Sequence, residues 1–523
     1  MAKLMVFGLD GIPWKFVTTW VDRWNLKNFK YIIKHGVYGK LISTIPSNTC
    51  PALFSLYTGK NPGNLGIFDF VKPDGSLVTY NDLKSLAFWD YLSQYGFKSC
   101  IVGTRLTYPV PKVNGVIIAG TFITKGNKKY LVYPESIWNN AKDFYPSESD
   151  ITYYENIIKN PSKNLNKLYE FCRENLIRQI NVFNNISKYD NYDFKFFWCG
   201  ETDTLLHYSI NNKDYIKKLM HEIDEILSEI RDENIFVISD HGFGTAAEFN
   251  FHLNEWLYRE GYMKVKGGLL GRSIYVIGYN VAELILPDYL KKKILNTLRK
   301  LSLSSDKKKK EKQMQIDFVI TPLDNIPGVD WDKSLAHVTT DKCWGIRIIK
   351  ENLNRDYETL RDEIIQKLKQ LRDPYGRKVI KNAWRGEDIY WGKYSDQIPD
   401  IIFLKEDLFK VRPSLVGRMF TKIKRKYGNY VGDHESAREG IFIACGEDIC
   451  DSGKYIGEIQ IYDVAPNILH LYGIPIPEDM DGKVINKIFK CTLNPPKQEF
   501  SYTKKINERM LITNTISKLK TKF

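Results

Sequence analysis

The chain has 523 residues, of which 43% are hydrophobic, 26% charged and 13% aromatic. That composition excludes an intrinsically disordered chain, and the length exceeds one ordinary core, so one large domain with insertions, or two to three domains, is expected. The formal charge of +14 suits anionic partners, but the lysines crowd into Lys291–Lys312 and the tail after Tyr502, so the charge reads as patches rather than a uniform nucleic-acid surface.

The eight cysteines are scattered, with no CxxC pair, and Cys445 and Cys450 are the closest two. Neither a disulfide framework nor a zinc ribbon is indicated, and reduced thiols in the cytoplasm are expected. The apolar stretch in MAKLMVFGLDG is shorter than a signal-peptide core. The best candidate for a membrane span, Leu269–Leu286, is interrupted by Arg272, Asn280 and Glu283, so none is expected.

Short apolar runs ending in Gly or Asp recur along the chain. Leu4–Phe7 leads to Gly8 and Asp10, and Cys100–Val102 leads to Gly103. A long amphipathic helix is predicted over Asn164–Ile186. Phe194–Trp198 then leads to Gly200 and Asp203. A second helix is predicted over Asp214–Ile230, before Ile235–Ile238 leads to Asp240. The stretch Lys264–Gln315 begins Gly-rich, turns apolar and ends in lysine, as an inserted cap would. From Val329 the sheet-like pattern resumes, and Ile441–Ala444 leads to Gly446. Asp463–Tyr472 is predicted as a helix, with Asp463 as N-cap and Gly473 as its stop. The runs fit strands of a parallel sheet buried on both faces, and their alternation with helices predicts an α/β fold. The expected divisions are residues 1–263 and 329–490 for the catalytic domain, 264–328 for a basic cap or substrate segment, and 491–523 for a basic tail.

Ligands of such sheets bind beyond the carboxyl ends of the strands, where Asp10, Asp203, Asp240 and His241 all fall. In SDHGF (Ser239–Phe243) a carboxylate and an imidazole can enter one crevice, as zinc or manganese would require; a capped turn is the plainer alternative. Asp203 and His207 are four apart, about 6 Å on one helix face, which makes either a metal clip or an N-cap with an unrelated surface histidine. Asp10 in GLDG could be an ordinary turn Asp, and His434 in YVGDHESAREG an exposed loop histidine. Thr49 precedes a predicted helix. A hydroxyl there sits in positive potential suited to an incoming phosphate, or it is only an N-cap. Cys50 and Ser47 are rival nucleophiles.

The order of these motifs resembles the alkaline phosphatase superfamily, and within it the type I phosphodiesterase/nucleotide pyrophosphatase family. The resemblance rests on GLDG, TCPAxxSLxTGxxPxxxGIFDF over Thr49–Phe70, the Asp203/His207 pair, SDHGF and the late GDH ending in His434. FHLNEWLYREGYM and IYDVAPNILHLYGIPIPEDMDG extend it over most of the chain outside Lys264–Gln315 and the tail.

The resemblance implies an alkaline-phosphatase-like core, with a mostly parallel central sheet flanked by helices and an inserted cap. It implies two divalent metal ions, usually zinc, with manganese the alternative. Asp10, Asp240 and His241 would hold one, with Thr49 bound to it as alkoxide, and Asp203, His207 and His434 would hold the other. Thr49 would attack phosphorus to give a phosphothreonine, later cleaved by water. The expected substrate is a phosphodiester or pyrophosphate of nucleotide or nucleotide-sugar type. The basic insertion and tail suit an anionic membrane surface, and no specific nucleic-acid binding is expected.

Two positions depart from the family pattern. Phe70 stands where an Asn often holds a phosphate oxygen, and Leu65 where a His is common. Other superfamily activities (phosphomonoesterase, phosphonate hydrolase, phosphosugar mutase) and a basic binding protein with a decayed site are the alternatives. Cys50 lacks the frame of a sulfatase nucleophile, because Pro51 follows it directly. His252 is read as structural, and His35, His221, His337 and His470 are rejected as ligands.

Overall fold

The computed structural model describes residues 3–72, 76–120, 130–228, 234–266, 329–338, 344–423 and 430–490. Nearly all of the predicted 264–328 insertion, and the whole 491–523 tail, lie outside the described residues. No described helix is long and apolar enough to cross a membrane.

The predicted runs become strands of one nine-stranded sheet. Its members are β1 (Leu4–Leu9), β2 (Gly36–Ile42), β3 (Ser99–Thr104), β4 (Gly115–Ala119), β5 (Val132–Tyr133), β6 (Phe194–Cys199), β7 (Asn234–Ile238), β17 (Glu439–Cys445) and β18 (Lys454–Gln460), ordered β18-β2-β17-β7-β1-β6-β3-β4-β5. The centre, β7-β1-β6-β3-β4, is parallel throughout. The Ile441–Ala444 run departs from that pattern, since β17 runs antiparallel to both β7 and β2.

Alternate residues of each central strand enter different cores. Met5, Phe7 and Leu9 of β1 face one cluster, which includes helices Leu165–Ser187 and Asp214–Ser228. Leu4 and Val6 face the other, with helices Thr49–Thr58 and Val464–Leu471. Both faces are covered, which is why these strands are apolar throughout rather than alternating. Asp463 does not cap Val464–Leu471 with its side chain; its carboxylate accepts from the backbone N–H of Gln460 and of Lys483 (2.8 and 2.9 Å).

The chain after Val329 does not rejoin the large sheet at once. It forms β10 (Ala336–Val338), β11 (Gly345–Ile348), β12 (Ile380–Arg385) and β13 (Ile401–Lys405), an antiparallel sheet ordered β10-β11-β13-β12 with its own apolar cluster. A further sheet joins β14 (Phe409–Arg412) and β15 (Phe420–Lys422) to either side of β9 (Phe249–His252). A two-stranded ladder pairs β8 (Gly244–Thr245) with β16 (Gly432–Asp433), placing the late loop against the SDHGF turn. Among the described cysteines, Cys100, Cys172, Cys199 and Cys445 are free thiols.

Candidate metal centre

All seven sequence-predicted site residues meet at the carboxyl edge of the parallel strands. Asp10 follows β1, Asp240 and His241 follow β7, and Asp203 and His207 lie on the helix Glu201–Ser209 that follows β6. Asp10, Asp240 and His241 offer ligand atoms within 4.8 Å of one another, as do Asp203, His207 and His434. His241 Nε2 lies 3.5 Å from Asp10 Oδ1 and 3.3 Å from Asp240 Oδ2. His207 Nε2 and His434 Nε2 lie 3.5 and 3.9 Å from Asp203 Oδ1. The two sets adjoin, because the His241 and His434 rings stack with centroids 4.0 Å apart.

Thr49 is the first residue of helix Thr49–Thr58, and its Oγ1 donates to His241 Nε2 at 3.2 Å. The N-cap is Asn48, whose side chain accepts from the Cys50 N–H and donates to Asp69 Oδ1 at 2.9 Å. Thr49 therefore has no capping role, and its hydroxyl faces the site. Cys50, the rival nucleophile, is fully buried in the apolar cluster. The Ser47 hydroxyl donates to the His434 carbonyl at 2.6 Å, while His434 Nδ1 donates to the Ser47 carbonyl at 2.8 Å. This reciprocal pair ties a loop near the end of the chain to the approach of Thr49.

The donor set fits divalent cations. Each of the three imidazoles directs Nδ1–H to a backbone carbonyl: His207 to Gly432, His241 to Gly242 and His434 to Ser47. That fixes the tautomer and leaves each Nε2 lone pair directed into the site, as metal-bound histidines require. Three buried carboxylate oxygens have no hydrogen-bond partner: Asp10 Oδ1, Asp203 Oδ1 and Asp240 Oδ2. An unmatched buried anionic oxygen is costly, and all three atoms point at the Nε2 atoms just named.

Burial, with Asp10 and Asp203 alongside, raises the Asp240 carboxyl well above the ordinary 3.8. Burial also holds His207 and His434 below 6.5, aided by the ring beside each, His434 and His241 respectively. Both imidazoles are thus neutral near pH 7, the form that ligates.

His252 lies outside the site. Its Nδ1 meets Ser414 Oγ at 3.0 Å and its Nε2 meets Thr421 Oγ1 at 2.8 Å, so both ring nitrogens are occupied, as a structural histidine requires. Sequence reasoning missed Arg105 and Trp198, which both bond Asp10 Oδ2, at 2.8 and 3.2 Å. The available signal was position: Arg105 follows the Cys100–Val102 run at the same strand edge as Asp10.

The fold is mixed α/β, with a large central sheet flanked by helices and with a helix-terminal hydroxyl and two carboxylate–imidazole sets at the carboxyl edge of its parallel strands. The chain belongs to the type I phosphodiesterase/nucleotide pyrophosphatase family, whose model matches residues 4–414, and it is accordingly a hydrolase of phosphodiester or pyrophosphate bonds. No curated protein matches it. Among solved structures, it is similar to an inactive form of murine ectonucleotide pyrophosphatase/phosphodiesterase 5 in complex with AMP, at 12% identity and TM-score 0.48, covering 94% of this chain and 100% of that one. The human protein of the same name aligns at 12% identity and TM-score 0.46, covering 92% of this chain and 97% of that one.

Proposed function

We propose that the chain cleaves phosphodiester or pyrophosphate bonds of nucleotide-type substrates through a phosphothreonine on Thr49, with two divalent cations, zinc or manganese, as cofactors. The observation that carries this reading is the trio of unpartnered buried carboxylate oxygens facing three Nε2 lone pairs. Asp10, Asp240 and His241 would hold one ion, and Asp203, His207 and His434 the other. Such ions lower the pKa of a hydroxyl or water and offset charge on a leaving oxygen.

The protein's own residues supply position. Asn48 caps the helix and fixes its first turn, so the Thr49 hydroxyl stays at the site rather than turning back to the helix. Pro51 falls in that first turn, where its missing N–H costs nothing. The positive end of the helix favours the anionic phosphate brought to Thr49. Thr49 Oγ1 would bond to phosphorus as its proton passes to solvent, and the P–O bond on the opposite side would break, releasing the alcohol or phosphate. Water then cleaves the Thr49 ester.

The test is an acid quench during turnover of bis-p-nitrophenyl phosphate, followed by peptide mapping. A p-nitrophenylphosphoryl group on Thr49 is expected, because one p-nitrophenolate leaves and the other stays on phosphorus. Steady turnover with unmodified Thr49 and with that adduct on another residue would reject the assignment.

A further inference from the structure

Arg105 lies just past β3, side chain 9% exposed, and is the described cation that contacts a site carboxylate. Its Nη1 is 2.8 Å from Asp10 Oδ2. Its Nη2 donates to the Gly200 carbonyl at 3.2 Å, the N-cap of the helix that carries Asp203 and His207. Its own backbone carbonyl accepts from Tyr57 Oη at 3.1 Å, on the helix that begins at Thr49. One residue thus touches the supports of both carboxylate–imidazole sets and of the nucleophile.

The surroundings are shaped for this guanidinium. A Cβ at Gly200 would lie 2.2 Å from Arg105 Nη2 and 2.9 Å from Cζ, so a larger residue there would displace the guanidinium from this position. Asp10 Oδ2 is engaged by Arg105 and by Trp198 Nε1, while Oδ1 has no hydrogen-bond partner. The carboxylate therefore cannot turn, and it presents a single oxygen toward His241 and Asp240.

We infer that Arg105 is a positioning residue that presents Asp10 as a one-oxygen ligand and sets the Asp10/Asp240/His241 group against the helix of Asp203 and His207. The inference rests on the two-cation reading above. Arg105 touches no reacting atom in this account. It works by fixing a ligand and by balancing a crowded set of buried carboxylates, in the way that partners behind metal ligands commonly do.

The test compares zinc titrations by calorimetry and zinc content by mass spectrometry for wild type, Arg105→Met, Arg105→Lys and Gly200→Ala, with kcat and KM on bis-p-nitrophenyl phosphate. Arg105→Met should bind one zinc about 10- to 100-fold more weakly and lose kcat with little change in KM. Arg105→Lys keeps the charge but cannot span Asp10 and Gly200, and should recover only part of that loss. Gly200→Ala keeps arginine but displaces it, and should weaken the same zinc. Should Arg105→Met prove too unstable, the lysine and alanine variants still decide. Two zincs bound with wild-type affinity and unchanged kcat in those variants would overturn the inference, whatever the shift in Tm. A wild type that binds no zinc or manganese would instead overturn the two-cation reading itself.

Discussion

Asp10, Asp240 and His241 have fully buried side chains, whereas Asp203, His207 and His434 keep 12%, 16% and 16% of theirs open. The first group leaves the ends of the adjacent parallel strands β1 and β7, and sheet hydrogen bonding fixes its geometry. The second is assembled from a helix and a loop more than 200 residues apart in sequence. It is joined by the β8–β16 ladder, by the Val431 N–H bond to the His207 carbonyl at 2.8 Å, and by the Ser47–His434 pair. A sheet edge can prebuild a binding group. A helix and a distant loop do so only while their packing holds.

The largest expected effect removes the proposed nucleophile. Thr49→Ala should lower kcat on bis-p-nitrophenyl phosphate by on the order of 10³-fold or more, with zinc content retained. A smaller loss would mean that the two groups act on something other than this hydroxyl.

Next, the groups should differ in how they hold metal. His434→Ala should release its ion at low chelator concentration while the buried group stays loaded, giving one zinc per chain. Asp240→Asn should strip the buried group instead. Each change should weaken its own ion by about 10- to 100-fold, and loss of both ions from His434→Ala would show that the halves are not separable.

The pH dependence should distinguish the groups further. Burial and the neighbouring carboxylates raise Asp240 above its unfolded value of 3.8, so in the metal-free protein its proton stabilises the fold at low pH. That stabilisation is lost as the pH rises through the folded pKa. Metal binding must expel the proton, so zinc affinity should increase with pH, and calorimetry in buffers of different ionisation enthalpy should detect proton release. His207 and His434 have depressed values, so their rings are still mostly neutral at pH 6.5, where an unfolded histidine is already half protonated. Affinity independent of pH below neutrality would contradict this.

The smallest effect lies outside both groups. His252→Ala should leave zinc content and kcat unchanged and cost about 1–3 kcal/mol of stability, because the Ser414 and Thr421 hydroxyls lose their partner, measurable by urea denaturation.

Much of this was legible in the sequence because both faces of the large sheet are covered. Continuous apolar runs such as Ile235–Ile238 mark such strands directly, and the acid or histidine that follows marks the edge. Helical spacing put Asp203 and His207 on one face, but left a metal clip and an N-cap with an unrelated histidine both open. His434 was not, because nothing local distinguishes it from an exposed loop residue; the β8–β16 pairing that buries it is a long-range contact. The antiparallel direction of β17 was hidden for a similar reason, since burial on both faces gives the same apolar run in either direction. Arg105 was legible only as a residue at the strand edge; its role was not, because that depends on space left by Gly200, a residue 95 positions away.

The most direct test is the number of divalent ions held per chain, measured by native mass spectrometry of zinc-loaded protein. The account predicts two in the wild type, one in His434→Ala, and turnover that disappears on chelation and returns with zinc or manganese. A wild type that turns over phosphodiester with no bound ion, or that holds a single ion unaffected by His434→Ala, would contradict it.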